Sequence, residues 1–329
     1  MSDWQLESDL ERSFRAAVET RERIAAFVGT TPLLRVDRGQ RLLKLESLQR
    51  TGSFKVRGAA SAITAGARPR EIVAASTGNH GLAVAAIARE LEIRCRIFVP
   101  AKAAAAKLAR LRQSGVELVL VGGDPLHAEL AAREACGGRD GVLLIPPYND
   151  RQVVLGQATL GLELLDDLGE EAPDALFAAV GGGGLIAGLA LALRTRWPHC
   201  RIVGCVPVAS PAMAAAVAAG AVVDSPFEPT LADATAGNIE ATTLTLPICS
   251  ALVDEWELIE ESEIAAAMRG ALLERHLAIE GAAALALAAS LRRDDGGRHL
   301  VVLGGGNVGA ETLRSITWSR ARPAKLGDG

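Results

Sequence analysis

Aromatic side chains are scarce in this sequence: 3% of 329 residues, with Tyr148 the one tyrosine. So few rings leave little on which single-stranded nucleic acid could stack. No basic block is present either, and a formal net charge of -4 argues against a partner with a phosphate backbone. The five cysteines (Cys95, Cys136, Cys200, Cys205, Cys249) are odd in number and scattered, with no CxxC pair. Reduced, mostly buried thiols are expected. The five histidines show neither HxxxH nor HExxH spacing, so no metal site is expected. Arg and Glu interrupt every alanine-rich stretch before it reaches the length of a membrane span. The opening "MSDWQLESDLERSF" is acidic and amphipathic, whereas a secretory signal is basic and then apolar. These absences together predict a soluble, cytoplasmic protein with no nucleic-acid or membrane partner.

The most informative shortage is lysine, with five copies against thirty arginines. One of the five, Lys55, lies in "GSFKVRG" between small and apolar residues, just after the polar "ESLQRT". Arginine stays protonated, whereas a lysine amine can lose its proton and form an imine with an aldehyde. A surface lysine at a helix start is the plain alternative.

The chain's pattern is one of alternation. Residues 7–27 read as an amphipathic helix, and "TPLLRV" and "RLLKLES" as short strands. Strands "EIVAAS", "RCRIFVP", "VELVLVG" and "GVLLIPPY" then alternate with helices "LAVAAIARELE", "AKAAAAKLARLRQSG" and "PLHAELAAREACG". The pattern repeats through helix "QVVLGQATLGLELLDDL", strand "ALFAAV", helix "LIAGLALALRTRW" and strand "RIVGCVP". After a loop-rich stretch, 222–247, come "WELIEESEIAAAMRGALLERH", "EGAAALALAASL" and a last strand, "HLVVLGGG". Such alternation predicts parallel sheets with helices on their faces, in two α/β layers, the first ending near residue 148.

Two glycine-rich loops follow apolar strands and precede helices, the setting in which bare N–H groups and the helix dipole favour an anion. "VVLGGGNVGAE" fits GxGxxG at Gly304, Gly306 and Gly309, yet too few residues follow for the helix, strand and acid that a dinucleotide site needs. "VGGGGLIAG" suits a single phosphate better. Its four glycines, Gly181, Gly182, Gly183 and Gly184, remove every Cβ from the turn. A tight strand–helix turn is the alternative. An imine-forming lysine and a phosphate cup together suit pyridoxal phosphate, which carries both an aldehyde and a phosphate.

The motifs resemble those of the fold-type II pyridoxal-phosphate enzymes, in particular the serine/threonine dehydratase (threonine ammonia-lyase) and serine racemase group. The similar stretches are "ESLQRTGSFKVRGA", "AASTGNHGLAVA", "VPAKAAAAKLARLRQSGVELVLVG", "PPYNDRQVVLGQATLGLELL", "VGGGGLIAGLA", "IEGAAALALAA" and "VVLGGGNV". They occur in the family's order from about residue 30 to about residue 310. The resemblance implies an α/β, two-domain, tryptophan synthase beta-like fold, each domain a mostly parallel sheet flanked by helices. It divides the chain into a large cofactor-binding domain, residues 1–68 and 149–329, and a small domain, residues 69–148.

By the same resemblance Lys55 looks like the lysine that holds pyridoxal 5′-phosphate as an imine and then takes the substrate Cα proton. Phe54 would pack near the ring, Asn79 would hydrogen-bond its phenolic oxygen, and Gly181 to Gly184 would hold the phosphate. Ser76, Thr77, Gly78, Asn79 and His80 match the loop that grips a substrate carboxylate. A helix N-cap is the alternative for Asn79 and His80. The implied reaction is β-elimination from L-threonine or L-serine to a 2-oxo acid and ammonia. Alternatives are a serine-type racemase, a specialised hydroxy-amino-acid lyase, or a catalytically weak cofactor- or amino-acid-binding protein. A homodimer is implied as well.

Three departures from the family pattern stand out. Gly304 takes the place of the serine or cysteine that faces the pyridine nitrogen. Val206 takes the place of a metal-supporting glutamate. Thr77 keeps a hydroxyl at the position where the racemase has a serine. Asp233 and Glu240 in "TLADATAGNIEATTLTL" are expected to be exposed loop acids, and Tyr148 is placed where a substrate side chain would be sensed. Only about twenty residues follow "GGGNV", so an appended regulatory domain is not expected.

Overall fold

The computed structural model describes residues 10–293 and 295–318. The opening "MSDWQLESD", including residues 7–9 of the expected first helix, and the closing "RPAKLGDG" lie outside the described residues.

In chain order the elements begin with α1 (Leu10–Ile24), β1 (Leu33–Val36), β2 (Arg41–Lys44), α2 (Lys55–Thr64), β3 (Glu71–Ala75) and α3 (Asn79–Glu90). Next come β4 (Arg94–Pro100), α4 (Ala105–Gln113), β5 (Glu117–Val121), α5 (Pro125–Cys136), β6 (Val142–Leu144) and α6 (Arg151–Leu168). Then follow β7 (Ala175–Ala179), α7 (Gly184–Leu193), β8 (Arg201–Pro207), α8 (Ala212–Ala219), α9 (Thr245–Leu252) and β9 (Glu255–Ile259). The last are α10 (Glu261–Arg275), α11 (Gly281–Arg292), β10 (His299–Val302) and α12 (Ala310–Trp318).

The strands form two sheets, ordered β1-β2-β10-β7-β8-β9 and β5-β4-β3-β6. All pairings are parallel except the β1–β2 hairpin. Parallel strands covered on both faces read as continuous apolar runs, as "ALFAA" in β7 and "HLVV" in β10 do. Alternate residues serve opposite faces. Phe177, Val203 and Val301 pack with α10 and α11, while Leu176, Ile202, Leu300 and Val302 pack with α6, α7 and α8. A third cluster joins β3 and β4 to α2 and α3 through Ile72, Ile97, Val56 and Val84. The layers are therefore those the alternation predicts.

Several boundaries differ from the sequence pattern, each for a local reason. "GVLLIPPY" yields only the short β6, because Pro146 and Pro147 have no N–H for a ladder. "WELIEESEIAAAMRGALLERH" divides into β9 and α10 at a capping box made by Glu260 and Glu263. Helix α9 begins at Thr245, inside the stretch read as loop-rich.

α2 is fastened by buried charge. Arg57 is 2% exposed and meets Glu46 through Nε and Nη2, both at 2.8 Å, and Glu163 of α6 through Nη2 at 2.7 Å. Lys44, fully buried, reaches Glu163 at 2.7 Å and Asp167 at 2.6 Å. Thr31 completes the set, donating from its hydroxyl to Glu46 at 2.6 Å and from its N–H to Glu163 at 2.7 Å. Burial works against the Arg57 charge, but Glu46 and Glu163 outweigh it and hold the pKa above the ordinary arginine value.

Removing one partner of such a set strands the others without water. Arg57→Met is expected to cost on the order of 3–5 kcal/mol in urea unfolding. Arg21→Ala, which breaks the exposed pair with Asp166, is expected to cost at most about 1 kcal/mol. Equal losses for the two variants would refute a structural role for the buried set.

Candidate active site

The loops that follow β3, β6, β7 and β10 lie at the carboxyl ends of parallel strands, where open α/β sheets place their ligands. α2 opens into the same region. Its first residue is Lys55, and Phe54 precedes it. The N–H of Phe54 donates to the Gly304 carbonyl at 3.0 Å, and Ser53 forms a bridge with Gly305. The start of α2 is thus tied to the loop after β10.

Lys55 Nζ donates to the Pro147 carbonyl at 2.8 Å and lies 5.2 Å from the centroid of the Phe54 ring. Burial lowers its pKa from 10.5 to about 8, while the Glu280 carboxylate pulls the other way. The neutral amine is therefore favoured at neutral pH relative to a solvated lysine. A solvated surface lysine would keep its ordinary value.

Ser76, Thr77 and Gly78 form the turn between β3 and α3, with the Gly78 N–H donating to Ser76 Oγ at 3.1 Å. Gly78 is the helix cap, and no side chain caps α3. Asn79 is therefore free of capping duty. Its Nδ2 donates to Glu280 Oε1 at 2.8 Å and Oε2 at 3.0 Å, while its Oδ1 accepts from Asn307 Nδ2 at 2.7 Å. His80 turns inward to the Ile145 carbonyl, 2.9 Å away, and burial, with the Lys55 charge second, lowers its pKa to about 3. Its side chain is a neutral tether between α3 and the end of β6.

Gly181, Gly182 and Gly183 bridge β7 and α7, and Gly184 is the first residue of α7. Among the described residues none of the first three donates its N–H to a protein group. Tyr148 packs directly on this turn: a Cβ at Gly182 would lie 2.3 Å from its ring. Gly183 has φ of +83°, and a Cβ there would lie 3.0 Å from Met213 Cε. The quartet is thus required by packing on one side while its amides stay unengaged. Gly304 offers no side chain, and a Cβ there would be 3.3 Å from the Phe54 ring.

The remaining expected residues fall nearby or elsewhere. Tyr148 Oη accepts the Glu240 N–H at 2.8 Å, and burial raises its pKa to about 12. Asp233 pairs with Lys107 of α4 at 2.6 Å and Glu240 with Arg133 of α5 at 2.9 Å, so both acids bind across the cleft. Val206 is fully buried in β8. Among the described residues no three metal-capable side chains come together, and no helix is long and apolar enough to cross a membrane. Ser290, His299 and Asp295 mimic a triad, but Ser290 and His299 are buried and Arg41 donates to the serine oxygen. Motif reading did not assign roles to Glu280, Asn307 and Arg110. An acid heading the otherwise apolar "EGAAALALAAS" was the available signal for Glu280.

The Tyr148 contact is testable. Gly182→Ala is expected to lose about 1–3 kcal/mol in urea unfolding through overpacking. Gly66→Ala, whose Cβ would meet nothing within 4 Å, is expected to be neutral or nearly so. Truncating Tyr148 to Ala beside Gly182→Ala should recover part of the loss. No recovery would mean that the ring is not what requires the glycine.

The chain is 40% identical over 281 residues to the L-threonine ammonia-lyase of Geobacter sulfurreducens, covering 83% of this chain and 68% of that protein. It is 32% identical over 327 residues to the catabolic L-threonine dehydratase TdcB of Escherichia coli K12, covering 94% and 97%. Among solved structures, a threonine deaminase from T.th. superposes with a TM-score of 0.82 at 33% identity, covering 90% of this chain and 98% of that one. Maize serine racemase superposes at 0.84 with 28% identity, covering 93% and 96%. Residues 24–305 match the family described as PALP, pyridoxal-phosphate dependent enzyme, and the chain belongs to that family.

Proposed function

We propose that this protein is an ammonia-lyase of the dehydratase type, converting L-threonine or L-serine to a 2-oxo acid and ammonia. The observation that carries the reading is Lys55, an amine with a pKa lowered to about 8, standing among the loops at the strand ends. The names of the relatives, threonine ammonia-lyase and threonine dehydratase, support the substrate class.

The residues present fit pyridoxal 5′-phosphate. Lys55 would meet its aldehyde, and the unengaged amides of Gly181 to Gly183, at the head of α7, would hold its phosphate. Phe54 would flank its ring, Asn79 would face its phenolic oxygen, and Gly304 would leave its ring nitrogen without a side-chain partner. When bound, the cofactor supplies an electron-withdrawing system that acidifies the substrate Cα–H. The chain supplies the rest. Backbone amides from Ser76 to His80, at the head of α3, would orient the substrate carboxylate. Lys55 would also take the substrate Cα proton on its neutral nitrogen.

This reading includes a large cofactor-binding unit, residues 1–68 and 149–329, and a small unit, residues 69–148. All four strands of the second sheet come from residues 71–144, which supports the division. A cytoplasmic homodimer is also part of the reading. Five free cysteines, four of them buried, suit a reducing compartment.

Lys55→Ala is expected to abolish both turnover and the borohydride-fixed attachment of pyridoxal phosphate. A variant that keeps full turnover would sink the assignment. The pH dependence follows from the same residue. The groups facing it are the Glu280 carboxylate, the neutral His80 ring and the Pro147 carbonyl. The neutral amine is the reactive form, so capture of pyridoxal phosphate by cofactor-free protein should quicken about tenfold per pH step below about 8 and level off above it. Capture that still accelerates beyond pH 10 would show an ordinary lysine.

A further inference from the structure

Four side chains join the two sheet units through one continuous hydrogen-bonded chain. Arg110 of α4 donates from Nη1 to Asn307 Oδ1 at 3.1 Å. Asn307 Nδ2 donates to Asn79 Oδ1 at 2.7 Å and to the Thr51 carbonyl at 2.9 Å. Asn79 Nδ2 then donates to both oxygens of Glu280. Arg110 and Asn79 belong to helices packed with the four-stranded sheet, whereas Asn307 follows β10 and Glu280 precedes α11. The chain therefore crosses between the units at each side-chain link.

The chain also has a fixed direction. A guanidinium can only donate, and a carbonyl or an ionised carboxylate can only accept. Arg110 at one end and Thr51 beside it force Asn307 to present its oxygen outward and its nitrogen inward. Asn79 must then turn its oxygen to Asn307 and its nitrogen to Glu280, and Glu280 requires the same orientation from the other end. The two Glu280 oxygens lie close together as seen from Asn79 Nδ2, so one N–H can serve both and the other can donate to a ligand.

Glu280 also accepts the backbone N–H of Asn307 and faces the Lys55 charge. It is 8% exposed and precedes α11 as its N-cap, yet its carboxylate makes no capping bond. A Cβ at Gly305 would lie 2.3 Å from Oε1, so the glycine makes room for the carboxylate. A buried acid needs partners, and Asn79 is its side-chain hydrogen-bond partner, beside the Asn307 N–H.

We propose that Glu280 is a positioning residue that fixes the Asn79 amide as a hydrogen-bond donor toward the phenolic oxygen of the cofactor, with Arg110 setting the same orientation from the opposite end. This rests on the reading that Asn79 faces that oxygen. The chain is continuous in the present relation of the two units.

The test is a double-mutant cycle between Glu280→Gln and Asn79→Ala, read by the visible absorption band of protein loaded with pyridoxal phosphate and by kcat and KM. In Glu280→Gln a donor replaces one acceptor and opposes an N–H. The band should shift and kcat should fall about tenfold, with KM changed less than about twofold. In the Asn79→Ala background Glu280→Gln should act much less, leaving only the effect of the lost carboxylate charge on Lys55. Without cofactor, the side-chain amide resonance of Asn79 should move and exchange with solvent faster in Glu280→Gln. If Glu280→Gln does not fold, Arg110→Met at the exposed end should give a smaller shift of the same sign, again lost in Asn79→Ala. If Asn79→Ala leaves the band in place, the assignment of Asn79 falls and this proposal falls with it. If Asn79→Ala moves the band but Glu280→Gln acts equally in both backgrounds, or leaves the Asn79 resonance unmoved, only the role of Glu280 falls.

Discussion

The buried contact of Arg57 with Glu46 and Glu163 is the constraint on which the site depends. A guanidinium without water must be met on several edges, and these carboxylates meet it from the turn after β2 and from α6. That requirement fixes the rotation and height of the first turn of α2. Lys55 lies two residues earlier in the chain, so its direction into the cleft follows from where Arg57 is held. The same exclusion of water that makes the charge set exacting also destabilises the Lys55 ammonium. Stability and chemistry share one cause here.

The glycines of residues 181–184 illustrate how two explanations of a motif can hold together. As a sequence feature they suggest an anion cup, because bare amides at a helix start attract negative charge. In the folded chain Tyr148, Thr235, Met213 and Cys249 also press on the positions that their Cβ atoms would fill. The two demands do not conflict, since Cα hydrogens face the packed side and amides remain unengaged. Tyr148 joins these demands to the loop of residues 230–243 through its hydroxyl.

Much of the architecture was legible because it rests on local and periodic signals. Alternating apolar runs and helical stretches announce parallel sheets, and small residues after a strand announce a ligand-facing turn. The boundaries that moved did so where a single chemical fact overrode the pattern. Two prolines without N–H groups shorten β6, and the Glu260–Glu263 capping box begins a helix directly after a strand. Arg57 and Glu280 were less legible. A charged residue beside apolar neighbours looks the same in sequence whether it points to solvent or to a buried partner.

By itself the sequence determined which groups were available: one amine between small and apolar residues, a run of glycines, an amide after a strand, and strands to carry them. These follow from residue identity and spacing along one segment. The tertiary structure alone decided which groups meet. Glu280 is 201 residues from Asn79, and Asn307 is 228 residues from it. No periodicity spans such separations. Partners so distant are selected by the packing of whole sheets and by the need of each buried polar group to find a hydrogen bond.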